Sequence, residues 1–325
     1  MAEGITQAAI YRGRNAIAPW VRRTPLVHSA ALSGRLGCNV HLKLETLQET
    51  GAFKLRGAFN RLLNLADAER ERGVIVVSTG NHARAIAHAA TALGVPAVVC
   101  MSSLVPDNKV AAVRATGAEV RIAGRNQDEA EETARKLAEE RGLVFVSPFD
   151  DPHVIAGQGT IGLELLEDLP ALDRILVPLS GGGLIGGIAL ALKSADKSIR
   201  VIGVSMERGP AMVRSLEAGR PVAVEEEPSL ADSLGGGIGL DNRYTFALAR
   251  DLVDETVLVS EAEIAAAMAH CYWREQQIVE GAGAVGIAAL LTGKVEAPGA
   301  NLVVLLSGRN VDMRRFSEIV ATSQA

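Results

Sequence analysis

Aromatic side chains are scarce in this sequence, 3% of 325 residues, and there are only three cysteines. Cys38, Cys100 and Cys271 show no C-x-x-C spacing. They read as core or incidental thiols of a reducing compartment rather than a disulfide frame or metal cage. Excess positive charge is also lacking: the formal net charge is -5, and no basic cluster with interleaved aromatics occurs. That argues against a nucleic-acid partner. No apolar run is long enough to span a bilayer, since the glycine-broken stretch from Leu179 to Leu192 ends at Lys193. Residues 1–20 carry Glu3, Arg12 and Arg14 and no long apolar core, so no secretory signal is expected and a cytoplasmic location is.

Glycine is plentiful, at 33 residues, and the hydrophobic share of 48% is that of a globular protein. Short apolar runs alternate with helical spacing. Strands are predicted at 40–45, 74–77, 97–101, 119–122, 144–146, 174–179, 200–204 and 302–306. Helices are predicted at 4–18, 58–67, 82–93, 108–116, 127–141, 261–276 and 282–291. Such alternation indicates parallel βαβ units, with a domain crossing at 148–152.

Four stretches carry chemistry. In Gly51-Ala52-Phe53-Lys54-Leu55-Arg56-Gly57-Ala58 a lysine lies among small residues and an aromatic. A lysine in a partly apolar pocket loses its proton near neutral pH and can attack a carbonyl; the alternative is a solvated lysine near a helix start. Ser180-Gly181-Gly182-Gly183-Leu184 joins a strand to a helix, where converging backbone N–H groups make a phosphate cradle or, alternatively, a flexible turn. It lacks the G-K-[ST] ending of a nucleotide P-loop. Ser78-Thr79-Gly80-Asn81-His82 follows a strand at the end where open α/β sheets bind ligands, although Ser78 or Thr79 could simply cap a helix. The fourth is Ser307-Gly308-Arg309-Asn310, after the last strand. Two patterns are set aside. Gly157-Gln158-Gly159-Thr160-Ile161-Gly162 matches a dinucleotide fingerprint but follows no strand, so close helix packing explains it better. His82 and His88 are not spaced as an i, i+4 zinc pair, and no metal is expected.

The order G-x-F-K-x-R-G-A, S-x-G-N-H, S-G-G-G-L, S-G-x-N resembles the fold-type II pyridoxal-phosphate enzymes of the threonine dehydratase and serine racemase group, from Thr24 to Asn310. The resemblance implies two open parallel-sheet α/β domains of the tryptophan synthase β type, with the cofactor between them. The large one would comprise residues 1–68 and 150–325 and the small one 69–149, without a C-terminal regulatory domain. It implies that Lys54 forms the Schiff base with pyridoxal phosphate and moves the Cα proton. Phe53 would pack on the ring and Asn81 bond its hydroxyl. Gly181, Gly182, Gly183 and Leu184 would bind the phosphate, and Ser307 would face the ring nitrogen. Ser78, Thr79, Asn81 and His82 would take the substrate carboxylate. Thr79 stands where racemases carry a reprotonating serine, so the resemblance implies a β-hydroxy amino acid dehydratase, with an amino acid (serine or aspartate) racemase as the less supported alternative. The acidic metal motif of serine racemase is replaced by Ser205-Met206-Glu207.

Arg309 replaces a usual glycine and Arg84 a usual glutamine. Both suit carboxylate recognition, so a substrate with a second carboxylate, such as 3-hydroxyaspartate, is expected; the alternative is that both face solvent or pair with protein acids. The stretch 234–246 looks most like hydroxyectoine-utilisation and hydroxyaspartate dehydratases. A homodimer is expected by family analogy. The non-enzyme rival is a binding module that uses only the glycine cradle.

Overall fold

The computed structural model describes residues 5–78, 80–103, 105, 107–125, 127–296 and 300–322. Among the described residues ten strands fall in two sheets: β1 (Leu26–His28), β2 (Asn39–Leu44), β3 (Val74–Val77), β4 (Ala97–Met101), β5 (Glu119–Ile122), β6 (Val144–Phe145), β7 (Arg174–Pro178), β8 (Arg200–Met206), β9 (Glu255–Val259) and β10 (Asn301–Leu306). The larger sheet runs β1-β2-β10-β7-β8-β9 and the smaller β5-β4-β3-β6. All pairings are parallel except β1 with β2, which is antiparallel. Strands such as β3, with all four residues buried, and β10, with five of six, read as continuous apolar runs because helices cover both faces.

The two parallel sheets accord with the expectation, and four local differences have physical reasons. The helix expected over 58–67 instead spans Lys54–Leu63. Its buried stripe of Leu55, Ala58, Phe59 and Leu62 outweighs the poor helix propensity of Gly57. Helix Pro152–Asp168 passes over that glycine: a Cβ on Gly157 would lie 2.7 Å from Gly57 Cα, and one on Gly159 2.8 Å from Gly187 O. The apparent dinucleotide fingerprint is therefore a packing surface within one helix. β1 is too short for its periodicity to show, and β9 and the helices Ala211–Ala218 and Thr245–Leu252 are not among the expected elements.

One apolar cluster joins the two layers. Leu55, Phe59 and Leu62 of the lysine helix pack with Val74, Val76, Ile86 and Val99 of the small-sheet layer. The lysine helix thus packs on the small-sheet layer.

Candidate active site

The lysine turn is stitched to the turn after β10. Ala52 bridges Gly308, Phe53 N–H donates to Ser307 O at 3.0 Å, and Arg309 N–H donates to Gly51 O at 2.9 Å. Gly51 has φ +76°, and a Cβ there would sit 2.8 Å from Asn310 Oδ1, so glycine is required. Lys54 is the first residue of its helix. Arg56, two residues on, anchors that helix from beneath: the buried guanidinium donates to Glu45 at 2.8 and 2.9 Å and to Glu164 at 2.6 and 3.0 Å. Lys43 completes a balanced group of two cations and two carboxylates, donating to Glu164 at 2.6 Å.

The Lys54 amine donates to Pro148 O at 2.7 Å and stands 5.2 Å from the Phe53 ring centroid. Burial lowers its pKa from 10.5 to about 8, against the opposing pull of the Glu280 charge. A free amine is therefore accessible near neutral pH, as a Schiff-base lysine needs.

The glycine turn abuts the segment that holds the amine. β7 ends at Pro178, Ser180–Gly182 form the turn, and helix Gly183–Ala195 follows with no side-chain cap. Gly182 has φ +87°. A Cβ on Gly181 would meet the Phe149 ring at 2.3 Å, and one on Gly183 would meet Phe149 O at 2.7 Å. Phe149 adjoins Pro148, the residue that receives the Lys54 amine, so the turn and the amine are held by consecutive residues. None of the amides of Gly181, Gly182, Gly183 or Leu184 donates to another described backbone group. A helix start with unclaimed N–H groups is an anion site.

Ser78 and Asn81 flank Gly80 at the end of β3, where Gly80 N–H donates to Ser78 Oγ at 3.3 Å. Thr79 lies outside the described residues. Asn81 is buried, donating through Nδ2 to Glu280 Oε1 at 2.7 Å and accepting at Oδ1 from Asn310 Nδ2 at 2.6 Å. His82 is buried too, its Nε2 3.2 Å from Val146 O. Burial and then the Lys54 charge push its pKa down to about 3, so the ring is neutral with Nε2–H as donor to the carbonyl. Ser307 is buried, and its carbonyl receives the Phe53 N–H of the lysine turn. Leu184 is buried in the first turn of the glycine helix. Arg84 donates to Asn310 Oδ1 at 3.2 Å, whereas the Arg309 side chain is exposed.

Glu280 escaped the sequence reading. It is 4% exposed and receives both Asn81 Nδ2 and Asn310 N–H, the latter at 3.0 Å. Its signal was available: a single acid set in the apolar, glycine-bearing run Val279-Glu280-Gly281-Ala282-Gly283. Pro148 and Phe149 act through a carbonyl and through ring shape, which residue type does not announce. Among the described residues no group of three or more His, Cys, Asp or Glu could hold a metal ion.

A half-buried amine of lowered pKa beside a turn of unclaimed amides suits an aldehyde-bearing, phosphorylated cofactor, and these residues fit pyridoxal phosphate. The chain matches the family described as pyridoxal-phosphate dependent enzyme over residues 17–308. It belongs to that family, and it has the fold-type II architecture of two parallel-sheet α/β domains.

Three relatives give the range. A Sinorhizobium fredii protein named "Putative threonine dehydratase" is 54% identical over 312 residues, covering 96% of this chain and 94% of that one. The L-threonine ammonia-lyase of Thermotoga maritima is 43% identical over 316 residues, covering 97% of this chain and 78% of its own. The solved structure of maize serine racemase superposes with a TM-score of 0.92 at 34% identity, covering 98% of this chain and 97% of that one.

Proposed function

We propose that this enzyme is a pyridoxal-phosphate-dependent dehydratase (ammonia-lyase). It eliminates water from a β-hydroxy-α-amino acid of the threonine or serine type and releases a 2-keto acid and ammonia. The observation that carries the reading is the Lys54 amine, freed near neutral pH and held by Pro148 while Phe149 backs the glycine turn. Bound there, pyridoxal phosphate supplies the aldehyde and the electron sink.

The chain's residues do the rest. Lys54 anchors the cofactor and moves the Cα proton. The amides of Gly181, Gly182, Gly183 and Leu184 would hold the phosphate, Phe53 would pack on the ring and Asn81 would bond its hydroxyl. Ser307 would offer a neutral hydroxyl to the ring nitrogen. A hydroxyl cannot protonate that nitrogen as a carboxylic acid would, which favours expulsion of a β-hydroxyl over transamination. Ser78, Thr79 and Asn81 take the substrate carboxylate. His82 contributes through its main-chain amide, because its Nε2–H is committed to Val146 O and its other ring nitrogen only accepts.

Several finer points belong to the same reading. The large unit comprises residues 1–68 and 150–325 and the small unit 69–149, with the cofactor between them. The second-carboxylate specificity rests on Arg309, whose side chain is exposed, rather than on Arg84, which is engaged by Asn310; 3-hydroxyaspartate or a hydroxyectoine catabolite would fit it. Tyr272, Trp273, Ile278 and Met313 form exposed apolar surface around the chain's last helix, which supports a homodimer. No described helix is long and apolar enough to cross a membrane, and the reading places the enzyme in the cytoplasm.

The test is borohydride trapping with peptide mapping, joined to a keto-acid assay across threonine, serine and the 3-hydroxyaspartate isomers. A pyridoxyl label on Lys54 and keto-acid release are expected; a label elsewhere, or none, overturns the reading. Incubation in deuterated water separates the racemase alternative, which returns labelled substrate in place of keto acid.

A further inference from the structure

Glu280 sits where the two sheet layers meet, and its partners come from both. Asn81 and Arg84 belong to helix Asn81–Leu93 of the small-sheet layer. Asn310 and Gly308 follow β10 of the large sheet, and Thr50 precedes the lysine turn. Glu280 Oε1 accepts from Asn81 Nδ2 at 2.7 Å, and Oε2 accepts from Asn310 N–H at 3.0 Å. Asn310 Nδ2 bridges Asn81 Oδ1 at 2.6 Å and Thr50 O at 2.8 Å, while its Oδ1 accepts from Arg84 at 3.2 Å. Neither amide can flip without turning donor to donor or acceptor to acceptor.

A glycine on a neighbouring segment leaves room for the carboxylate: a Cβ on Gly308 would fall 2.6 Å from Glu280 Oε1.

We propose that Glu280 is a positioning residue for the cofactor site: its carboxylate clasps Asn81 to Asn310, closing the small-sheet layer onto the large one and holding the Asn81 amide in a single orientation. The inference rests on the reading of Asn81 as a cofactor contact. The clasp as built needs an ionised carboxylate, because both of its partners are donors. Protonation replaces an acceptor with a donor and leaves one N–H unpaired.

The charged groups that face Glu280 are Asp232, Arg84 and Lys54. Burial, then the Asp232 charge, raises its pKa from 4.5 to about 7, against the bonds from Asn81 and Asn310 and the Arg84 charge. The clasp is therefore complete above about pH 7 and loosens as the pH falls through that value.

Glu280→Gln and Asn310→Ala test this on the holoenzyme. The side-chain amide introduced by Glu280→Gln can accept only one of the two bonds and presents an N–H to the other donor; Asn310→Ala leaves the carboxylate and removes the bridge. Three readouts are taken: the pyridoxal phosphate dissociation constant, the pH dependence of the bound cofactor's visible absorbance, and amide hydrogen exchange over residues 80–86. Both variants should weaken cofactor binding about tenfold or more, as expected for a lost buried bond to a charged group, and should speed exchange in that segment. The wild-type absorbance should step near pH 7, and the step should vanish in Glu280→Gln.

Unchanged exchange and binding in both variants, or a step that persists in Glu280→Gln, overturns the proposal. Absence of a pyridoxyl label on Lys54 in the wild type would instead overturn the functional reading on which it rests.

Discussion

Two strand-to-helix turns carry the candidate site, and they are built on opposite principles. The glycine turn after β7 is shaped by what its residues lack. Gly181 and Gly183 have no Cβ to strike Phe149, Gly182 adopts φ +87°, and the unclaimed amides result from the backbone path alone. The asparagine turn after β3 is shaped by what its side chains reach. Asn81 is oriented by Glu280, 199 residues away in sequence, and by Asn310, 229 away. The first turn is preformed by local geometry; the second exists only when distant segments have docked. A phosphate tolerates a rigid cradle, whereas a catalytic cleft that admits substrate has reason to place its hydrogen-bonding amide on a latch that can open.

The largest effect expected is at neither turn but between them. Lys54→Ala should lower keto-acid formation roughly a thousandfold or more, because no other group supplies the amine, and should abolish the borohydride-trapped label. Should Lys54→Ala retain activity, the comparison of the two turns would lose its common centre.

Next comes the cradle. Gly183→Ala puts a methyl against a main-chain oxygen, Phe149 O, that cannot move aside. A loss of about 1–3 kcal/mol in denaturant unfolding is expected from overpacking, with cofactor affinity reduced about tenfold or more as the amides shift. If Gly183→Ala binds the cofactor normally, the rigid description of this turn fails.

The pH dependence of cofactor uptake by apoprotein sharpens the contrast. Lys54 is protonated below about 8, so the uptake rate should climb with pH and level off above that value. Glu280 holds the ammonium form in place; Glu280→Gln should therefore move the plateau to lower pH. A plateau that stays put would mean that the two groups do not sense one another.

A smaller effect tests how local the glycine turn is. The Asp150 carboxylate accepts from the amides of Arg243, Tyr244 and Thr245 at 2.7, 2.9 and 3.0 Å and so holds the start of helix Thr245–Leu252. Thr245 Cβ lies 3.0 Å from where a Cβ on Gly182 would be. Asp150→Asn should cost about 1 kcal/mol in unfolding and weaken phosphate binding only slightly. The smallest structural effect belongs to exposed Arg309: Arg309→Gly should change stability by less than about 0.5 kcal/mol. It should raise KM selectively for substrates with a second carboxylate, and a 3-hydroxyaspartate preference left intact would remove the argument for that specificity.

Much of this was legible in one dimension because the features are short-range. Alternating apolar runs and helical stripes announce two α/β units, and a strand, three glycines and a helix in succession announce an anion site. The helix expected from 58 starts at Lys54, with Gly57 inside it as a crossing point for Gly157. β1 was invisible because three residues carry no period. Glu280 stood in plain view as a lone acid among glycines, but its purpose lies in partners on other elements.

Residue order alone determined that a glycine cradle and a hydroxyl would each sit at the end of a strand and an amine near a helix start, since turn chemistry and hydrophobic period act over a few residues. Only the folded chain decided that Pro148 receives the amine, that Phe149 backs the cradle, and that Glu280 ties Asn81 to Asn310. Burial sets the pKa values of Lys54, His82 and Glu280, and burial is a property of neighbours brought together from across the chain.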